Sequence, residues 1–433
     1  MEILEVTPVQ ARQTQLAQRF QAVRAMTDAL SERLTPEDMM VQSCPEASPV
    51  KWHLAHTTWF FETFLLRPYL PRYQSYHPDF HWLFNSYYKS LGNHPEKQLR
   101  ASFSRPSLEQ VRAYRQYVQH GIGQLLATNA SAEICDRIEL GMHHEQQHQE
   151  LIATDIKHAF WSNPLQPVYE QSPFPASAGS TETHHWLDYA GGLVEIGHRG
   201  NGFAFDNEFS RHQVFLEPFR LASRPVTCAE YRNFIQDNGY QRPELWLSDG
   251  WDTVQALDWQ APLYWHRDPS GRWDVFTLRG IIPLDALLQT PVCHLSYYEA
   301  DAYARWAGCR LPSEFEWEHA ANSVYVSGNL LESGALHPLA PQRGDSDPHQ
   351  PAQLFGDVWE WTRSPYVAYP GYRTAPGALG EYNGKFMCNQ FVLRGGSAVT
   401  PASHIRASYR NFFAPGTRWQ FSGIRLAADG GTA

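Results

Sequence analysis

The amino-acid sequence predicts a multidomain α+β protein, with a helical N-terminal domain followed by a loop-rich domain that mixes helices and strands. Apolar residues recur at helical spacing through the first part of the chain, whereas short apolar runs alternate with Gly, Pro, Asn and Asp in the rest. The length of 433 residues is enough for two or three domains. We place the domains at residues 1–160 and 186–433, joined by a linker at 161–185 that is rich in Pro, Ser and Gly.

The composition excludes several classes of protein. A net charge of −10 argues against nucleic acid or an anionic membrane as the main partner. The sequence has neither a long apolar stretch nor a signal-peptide pattern, which predicts a cytoplasmic protein that does not enter the membrane. The six cysteines include no C-x-x-C pair, so any metal must be held mainly by carboxylate or by the 20 histidines.

Four helices are predicted in the N-terminal domain, which indicates a four-helix bundle. The first ends near Pro36 and carries one apolar stripe. The stripe consists of Leu16, Phe20, Val23 and Leu30. The second begins at Ser48, with Ser48 as the N-cap and Pro49 at the first helical position, and ends at Leu66.

A long connection at 68–106 separates the second helix from the third, and loops of this length inside a compact domain are usually functional. Ser107 is predicted to cap the third helix, and the fourth covers about 132–160. In the C-terminal domain, two segments have helical character, at 229–238 and 298–307.

The string HEQQH at 144–148 is the strongest chemical signal. Residues four positions apart lie on one face of a helix, with Cβ atoms about 5–6 Å apart, so His144 and His148 can reach the same ion. A second pair, His53 and His56, lies in the helix that a bundle would set opposite. Imidazole ligands with open coordination positions suit zinc or high-spin iron(II), and residue types alone do not choose between them.

The same string also fits the H-E-x-x-H motif of zinc peptidases, in which Glu145 would be the general base. Leu151 and Thr154 stand where the longer peptidase motif has Gly and His. The next glutamate beyond this helix, Glu170, lies in the predicted linker, which is a poor place for a rigid ligand. A zinc peptidase is therefore the weaker alternative.

Several strings resemble the ergothioneine-biosynthetic sulfoxide synthases. They are SPVKWHLAHTTWFFETFLL and HHEQQHQEL in the first half, and LSYYEADAYARWAGCRLPSEFEWEHAA, GDVWEWTRSPYVAYPGYR and VLRGGS in the second. Members of this family join a DinB-like four-helix bundle to a domain shaped like the formylglycine-generating enzyme, which has a C-type-lectin-like fold. The resemblance covers nearly the whole chain and implies the same architecture here, with the active site between the two domains.

The resemblance implies that a non-heme iron, Fe(II), is held by His56, His144 and His148, and that His53 is a structural imidazole or one that supports a ligand. The implied reaction is O₂-dependent C–S bond formation between the imidazole of hercynine (N-α-trimethylhistidine) and the thiol of cysteine or γ-glutamylcysteine, with oxidation to a sulfoxide. Three neutral imidazoles leave three coordination positions for the thiolate, O₂ and the hercynine ring.

The resemblance also implies a hercynine pocket. Gln147 resembles the family glutamine that hydrogen-bonds the hercynine imidazole, and Asn411 resembles the asparagine at its carboxylate. Phe412 and Phe413 would offer aromatic faces to the trimethylammonium group. Members that use γ-glutamylcysteine often have Asp in the position of Phe413, so free cysteine is a serious candidate for the sulfur donor.

Tyr87 and Tyr88 in the long connection resemble a subgroup in which adjacent tyrosines come from the bundle. One of them would donate a proton or a hydrogen bond at the iron and steer the product towards sulfoxide rather than thiol dioxygenation. Arg100 and Arg105 in the same connection are candidates for binding the donor carboxylate, with solvated surface arginine as the alternative.

The C-terminal domain is not expected to act as a formylglycine-generating enzyme, because no cysteine occurs in AVTPASHIRASYRN after Ser397. A structural Ca²⁺ in this domain and a homo-oligomeric state stay open. The alternative within the same chemistry is an ovothiol-type 5-histidylcysteine sulfoxide synthase, whose members usually carry a further methyltransferase domain. A non-catalytic lectin-like binding protein is the alternative of another class.

Overall fold

The computed structural model describes residues 8–128, 130–175, 184–200, 202–341 and 347–430. The chain divides into two compact units. The first comprises residues 1–165 and 376–381, and the second comprises residues 166–375 and 382–433. Within the described ranges, no helix combines the length and the apolar character that a membrane span requires.

The first unit is helical, as predicted. Its α-helices are α1 (Pro8–Glu32), α2 (Val50–Phe61), α3 (Arg67–Tyr69), α4 (Phe80–Leu83), α5 (Leu108–Ala127) and α6 (Ala132–Ser162). Helix α1 packs against α5 and α6, and α2 packs against the same two helices. The four long helices therefore enclose one core, and the four-helix bundle is confirmed.

The predicted apolar stripe of α1 is buried. Phe20, for example, packs edge-on against Phe61 of α2, with ring centroids 5.0 Å apart. Ser107 caps α5 as predicted, since its hydroxyl accepts from Gln110 N and the Gln110 side chain accepts from Ser107 N. Local signals therefore placed these two helices correctly.

The predicted boundaries of the second helix are wrong at both ends. Pro49, not Ser48, precedes α2, and no side chain caps the helix. Ser48 instead donates its backbone N–H to Asp155 Oδ2 (2.8 Å), and its hydroxyl oxygen accepts from Arg100 Nη1 (2.8 Å). The hydroxyl that would cap the helix is therefore engaged in a tertiary contact. The helix also continues beyond Leu66, through a π turn at Glu62–Leu66 into α3.

The second unit has four α-helices within the described residues: α7 (Cys228–Gln236), α8 (Ser248–Leu257), α9 (Tyr297–Trp306) and α10 (Glu314–Ala321). The two predicted helical segments correspond to α7 and α9. No helix was predicted from the sequence at α8 or α10. In α10 three glutamates are buried together with a tryptophan and two alanines, so the helix shows no division into polar and apolar faces.

The strands of the second unit are short and form five small sheets within the described residues. The strands are β1 (Trp186–Tyr189), β2 (Gly192–Ile196), β3 (His212–Leu216), β4 (Phe219–Ala222), β5 (Trp265–Arg267), β6 (Trp273–Thr277), β7 (Gly280–Pro283), β8 (Gly328–Asn329), β9 (Phe355–Gly356), β10 (Trp359–Pro365), β11 (Phe391–Arg394), β12 (Asn411–Phe413), β13 (Ser422–Gly423) and β14 (Ala427–Asp429). Their orders are β1-β4-β14, β12-β11-β10-β13, β2-β3, β5-β6-β7 and β8-β9. This mixture of helices and short strands confirms the predicted α+β class.

The predicted linker is described only in part, since 176–183 lie outside the described residues. Its first two residues belong to α6. Further along, the N–H groups of Tyr169 and Glu170 both donate to Leu278 O, within the second unit.

Candidate metal centre

Helices α2 and α6 bring His56, His144 and His148 together. One ring nitrogen from each lies within 4.8 Å of the other two, and all three side chains are buried. The ring centroids of His144 and His148 are 4.7 Å apart. The ring centroid of His56 lies 5.1 Å from that of His144 and 4.9 Å from that of His148. Such a cluster of nitrogen donors, with no thiolate or carboxylate in the set, can hold one transition-metal ion.

Hydrogen bonds leave nitrogen lone pairs available in this cluster. His56 Nδ1 lies 2.7 Å from Phe84 O, and because a carbonyl only accepts, His56 carries its proton on Nδ1 and keeps Nε2 bare. Among the described residues, His144 Nδ1 is buried without a hydrogen-bond partner. A buried cluster with such a nitrogen fits a metal ion.

Burial keeps the three imidazoles neutral. It lowers the pKa of His144 to about 4. Burial, followed by the neighbouring imidazoles, also lowers the pKa values of His56 and His148 well below the ordinary value. Neutral imidazole is the form that binds metal, so at physiological pH the cluster can bind an ion without first losing protons.

A cation and an aromatic ring lie beside the cluster. Trp52 stacks on His56, with centroids 4.4 Å apart, and the Arg100 guanidinium lies 3.4 Å from the Trp52 ring centroid. Arg100 is buried and donates to the hydroxyls of Ser48 and Ser86, both at 2.8 Å, so it is not a solvated surface arginine. Burial lowers its pKa to about 10.

Glu145, at the centre of the H-E-x-x-H string, is engaged elsewhere. Its fully buried carboxylate accepts from Arg24 Nη1 at 2.9 Å and from Arg115 Nη2 at 3.2 Å. Burial alone would raise the pKa of Glu145, but the two guanidinium groups lower it below its ordinary value. A carboxylate held between two arginines is a poor general base, which argues against the peptidase alternative.

The tyrosine pair lies in the first unit, and its two members differ in burial. Tyr88 is buried, with its ring 5.6 Å from that of Trp59, which in turn stacks on His56 at 5.4 Å. Tyr87 is 36% exposed. The turn that follows is held by Glu381, which the sequence analysis missed and which accepts from the N–H groups of Lys89 and Ser90 and from the Ser90 hydroxyl.

The two other predicted residues of this unit are less buried. Gln147 is half-buried on α6, directly before His148. Arg105 is exposed, which agrees both with a solvated surface arginine and with a side chain that binds the donor carboxylate.

The predicted residues Asn411, Phe412 and Phe413 form β12 in the second unit, and all three are half-buried. The strand pairs with β11, and Phe412 stacks on Tyr366 with centroids 4.1 Å apart. Arg410, just before the strand, pairs in bidentate fashion with the buried Glu314, at 2.8 and 3.0 Å. This pair, which the sequence analysis missed, anchors the start of β12.

Asp155 was also missed, although the sequence carries a signal for it. It follows His148 by seven residues, which is two helical turns, and therefore lies on the same face of α6 as the two histidines. Its Oδ2 lies 3.0 Å from His53 Nε2.

Comparison with known proteins gives matches for both halves of the chain. Residues 19–152 match the DinB superfamily, and residues 172–430 match the sulfatase-modifying factor enzyme 1-like domain. A hercynine oxygenase of Mycolicibacterium smegmatis is 32% identical to the chain, over 97% of the chain and 99% of the relative. A hercynine oxygenase of Mycolicibacterium thermoresistibile is also 32% identical, over 95% of each protein. Ergothioneine biosynthesis protein 1 of Schizosaccharomyces pombe is 29% identical, over 52% of the chain and 28% of the relative.

Proposed function

Because the chain belongs to the hercynine oxygenase family, we propose that it is an O₂-dependent sulfoxide synthase of ergothioneine biosynthesis. It joins the imidazole of hercynine to the thiol of cysteine or γ-glutamylcysteine and oxidises the sulfur to a sulfoxide. The observation that carries this proposal is the buried cluster of three neutral imidazoles contributed by α2 and α6.

His56, His144 and His148 would hold iron(II) in this cluster. When bound, iron(II) would supply a redox-active centre for the reaction of O₂ with the donor thiolate. The chain's own contribution is to keep the ligand nitrogens unprotonated and the surroundings dry, which burial of all three side chains supports.

The residues proposed for hercynine are Gln147 on α6 and Asn411, Phe412 and Phe413 on β12. Gln147 hydrogen-bonds its imidazole, Asn411 binds its carboxylate, and Phe412 and Phe413 offer aromatic faces to its trimethylammonium group. The half-buried state of these four side chains supports the assignment, since a ligand can cover the surface that remains open.

The donor carboxylate binds to Arg100, with Arg105 as the second candidate. Among the described residues, no carboxylate forms an ion pair with Arg100, so its buried charge favours an anionic ligand. Tyr87 and Tyr88 supply the hydroxyl proton that favours sulfoxide over thiol dioxygenation. The apolar side chain of Phe413 favours free cysteine over γ-glutamylcysteine.

The test is O₂ uptake by the iron(II)-loaded protein, with product analysis by mass spectrometry. Hercynine is supplied with cysteine or with γ-glutamylcysteine, and histidine replaces hercynine in a third arm that reports the ovothiol-type reaction. We expect O₂ uptake and a sulfoxide product only with hercynine. Tight zinc binding without turnover in any arm would refute the proposal, and turnover with histidine alone would replace it by the ovothiol-type reaction.

The matched variants are His148→Ala and His120→Ala. His120 is an exposed histidine on α5. We expect His148→Ala to lose bound iron and activity together, while His120→Ala keeps both. Full turnover by His148→Ala would remove this residue from the site.

A further inference from the structure

Behind the ligand cluster, a buried carboxylate and a buried imidazole form a chain of hydrogen bonds to His148. His53 Nδ1 lies 2.8 Å from His148 Nδ1, and His53 Nε2 lies 3.0 Å from Asp155 Oδ2. All three side chains are less than 10% exposed. The backbone N–H of Ser48 donates to the same carboxylate oxygen, at 2.8 Å.

The chemistry of these groups fixes the direction of each hydrogen bond. Asp155 Oδ2 already accepts from a backbone N–H, so it is an acceptor towards His53 as well. As a neutral imidazole, His53 therefore carries its single proton on Nε2 and holds a lone pair on Nδ1. The 2.8 Å contact then requires His148 to donate from Nδ1, which leaves its Nε2 bare.

We propose that Asp155 and His53 are positioning residues for the metal centre: they hold His148 in the tautomer and ring orientation that present Nε2 to the ion. The opposite proton order would put the His148 proton on Nε2, where it would block binding. The carbonyl of Phe84 does the same for His56, so two of the three ligands have their tautomer fixed by the fold. This inference rests on the proposed metal centre and concerns residues outside its ligand set.

The test measures the affinity of the metal-free protein for Co²⁺, titrated by its visible absorption, in place of enzyme activity. His53→Phe keeps a ring without nitrogen, and Asp155→Ala removes the acceptor. Asp155→Asn keeps an acceptor oxygen for Ser48 and His53. Glu62→Gln is the matched control, because Glu62 is a buried carboxylate of the same unit that accepts from two tyrosine hydroxyls and lies outside the chain of hydrogen bonds.

We expect His53→Phe and Asp155→Ala to weaken Co²⁺ binding by about 10–100-fold, the range typical of lost outer-shell partners. Asp155→Asn should bind more tightly than Asp155→Ala, and Glu62→Gln should bind like the unmodified protein. Circular dichroism melts identify folded variants. If Asp155→Ala does not fold, His53→Phe and Asp155→Asn still carry the test.

Unchanged affinity in folded His53→Phe would overturn the positioning role, and so would an equal loss in Glu62→Gln. The two proposals fail in different ways. If the unmodified protein and His148→Ala bind Co²⁺ equally, the metal centre itself is wrong. If His148→Ala loses Co²⁺ binding while the His53 and Asp155 variants bind it as tightly as the unmodified protein, the positioning role alone is wrong.

Discussion

Replacing Glu145 by Gln is expected to destabilise the helical unit, because this carboxylate holds two buried arginines. Arg24 Nη1 and Arg115 Nη2 lie 2.9 and 3.2 Å from its oxygens, and the glutamate is completely buried. Glutamine keeps the shape of the side chain but removes the negative charge, so both guanidinium groups stay buried with weaker compensation. A zinc peptidase would instead lose its general base at this position with little change in stability.

Neutralising one partner of a buried ion pair costs about 3–5 kcal/mol. Urea m-values are about 2 kcal/mol/M for small domains, so the unfolding midpoint of the helical unit should fall by about 1.5–2.5 M. The matched control is Glu139→Gln on the same helix. Glu139 pairs with Arg19, whose side chain is 37% exposed, and a pair near the surface contributes about 0–1 kcal/mol.

The assay is urea unfolding followed by far-ultraviolet circular dichroism, to which the long helices of the first unit contribute strongly. We expect a large shift of the midpoint for Glu145→Gln and a small one for Glu139→Gln. Equal midpoints in the two variants would refute the reasoning. Loss of catalysis by Glu145→Gln at an unchanged midpoint would restore the catalytic-base interpretation.

Three further predictions concern stability and local order. Burial raises the pKa of Asp357 to about 6, from an ordinary value of 3.8, so the folded state retains a proton that the unfolded chain releases. The stability of the second unit should therefore fall by roughly 3 kcal/mol as pH rises from about 4 to 6, and urea unfolding of Asp357→Asn should lack this fall. In calorimetry, Gly141→Ala should lower the Tm of the helical unit and Gly123→Ala should raise it. A Cβ at 141 would lie 2.5 Å from an aromatic ring of α2, so Gly141→Ala should destabilise the unit by about 1–3 kcal/mol. A Cβ at 123 meets no atom within 4 Å, so Gly123→Ala should stabilise it by about 1 kcal/mol. Glu381→Ala should speed tryptic cleavage at Lys89 in limited proteolysis, because it removes the hydrogen bonds that hold this turn, and an unchanged rate would contradict that role.

The parts of the fold that the sequence predicted correctly depend on neighbouring residues. The capping box at Ser107 and the apolar stripe of α1 act within one or two helical turns, and both agree with the structure. The prediction failed at Ser48, whose cap-forming groups are used by Asp155 and Arg100. It also failed at α10, where the buried Glu314 and Glu318 pair with distant arginines, so polarity along the sequence does not report burial.

By itself, the sequence determined the spacing of His144 and His148, because helical geometry places residues four apart on one face wherever the helix lies. Only the tertiary structure decided what surrounds that face. It brought His56 beside the two histidines, as the family resemblance implied, and it set His53 behind His148. It also paired Glu145 with Arg24, 121 positions away along the chain. The contact between His53 and Asp155 joins residues 102 positions apart. Such distances are fixed by the packing of one helix against another, which no local pattern of residues encodes.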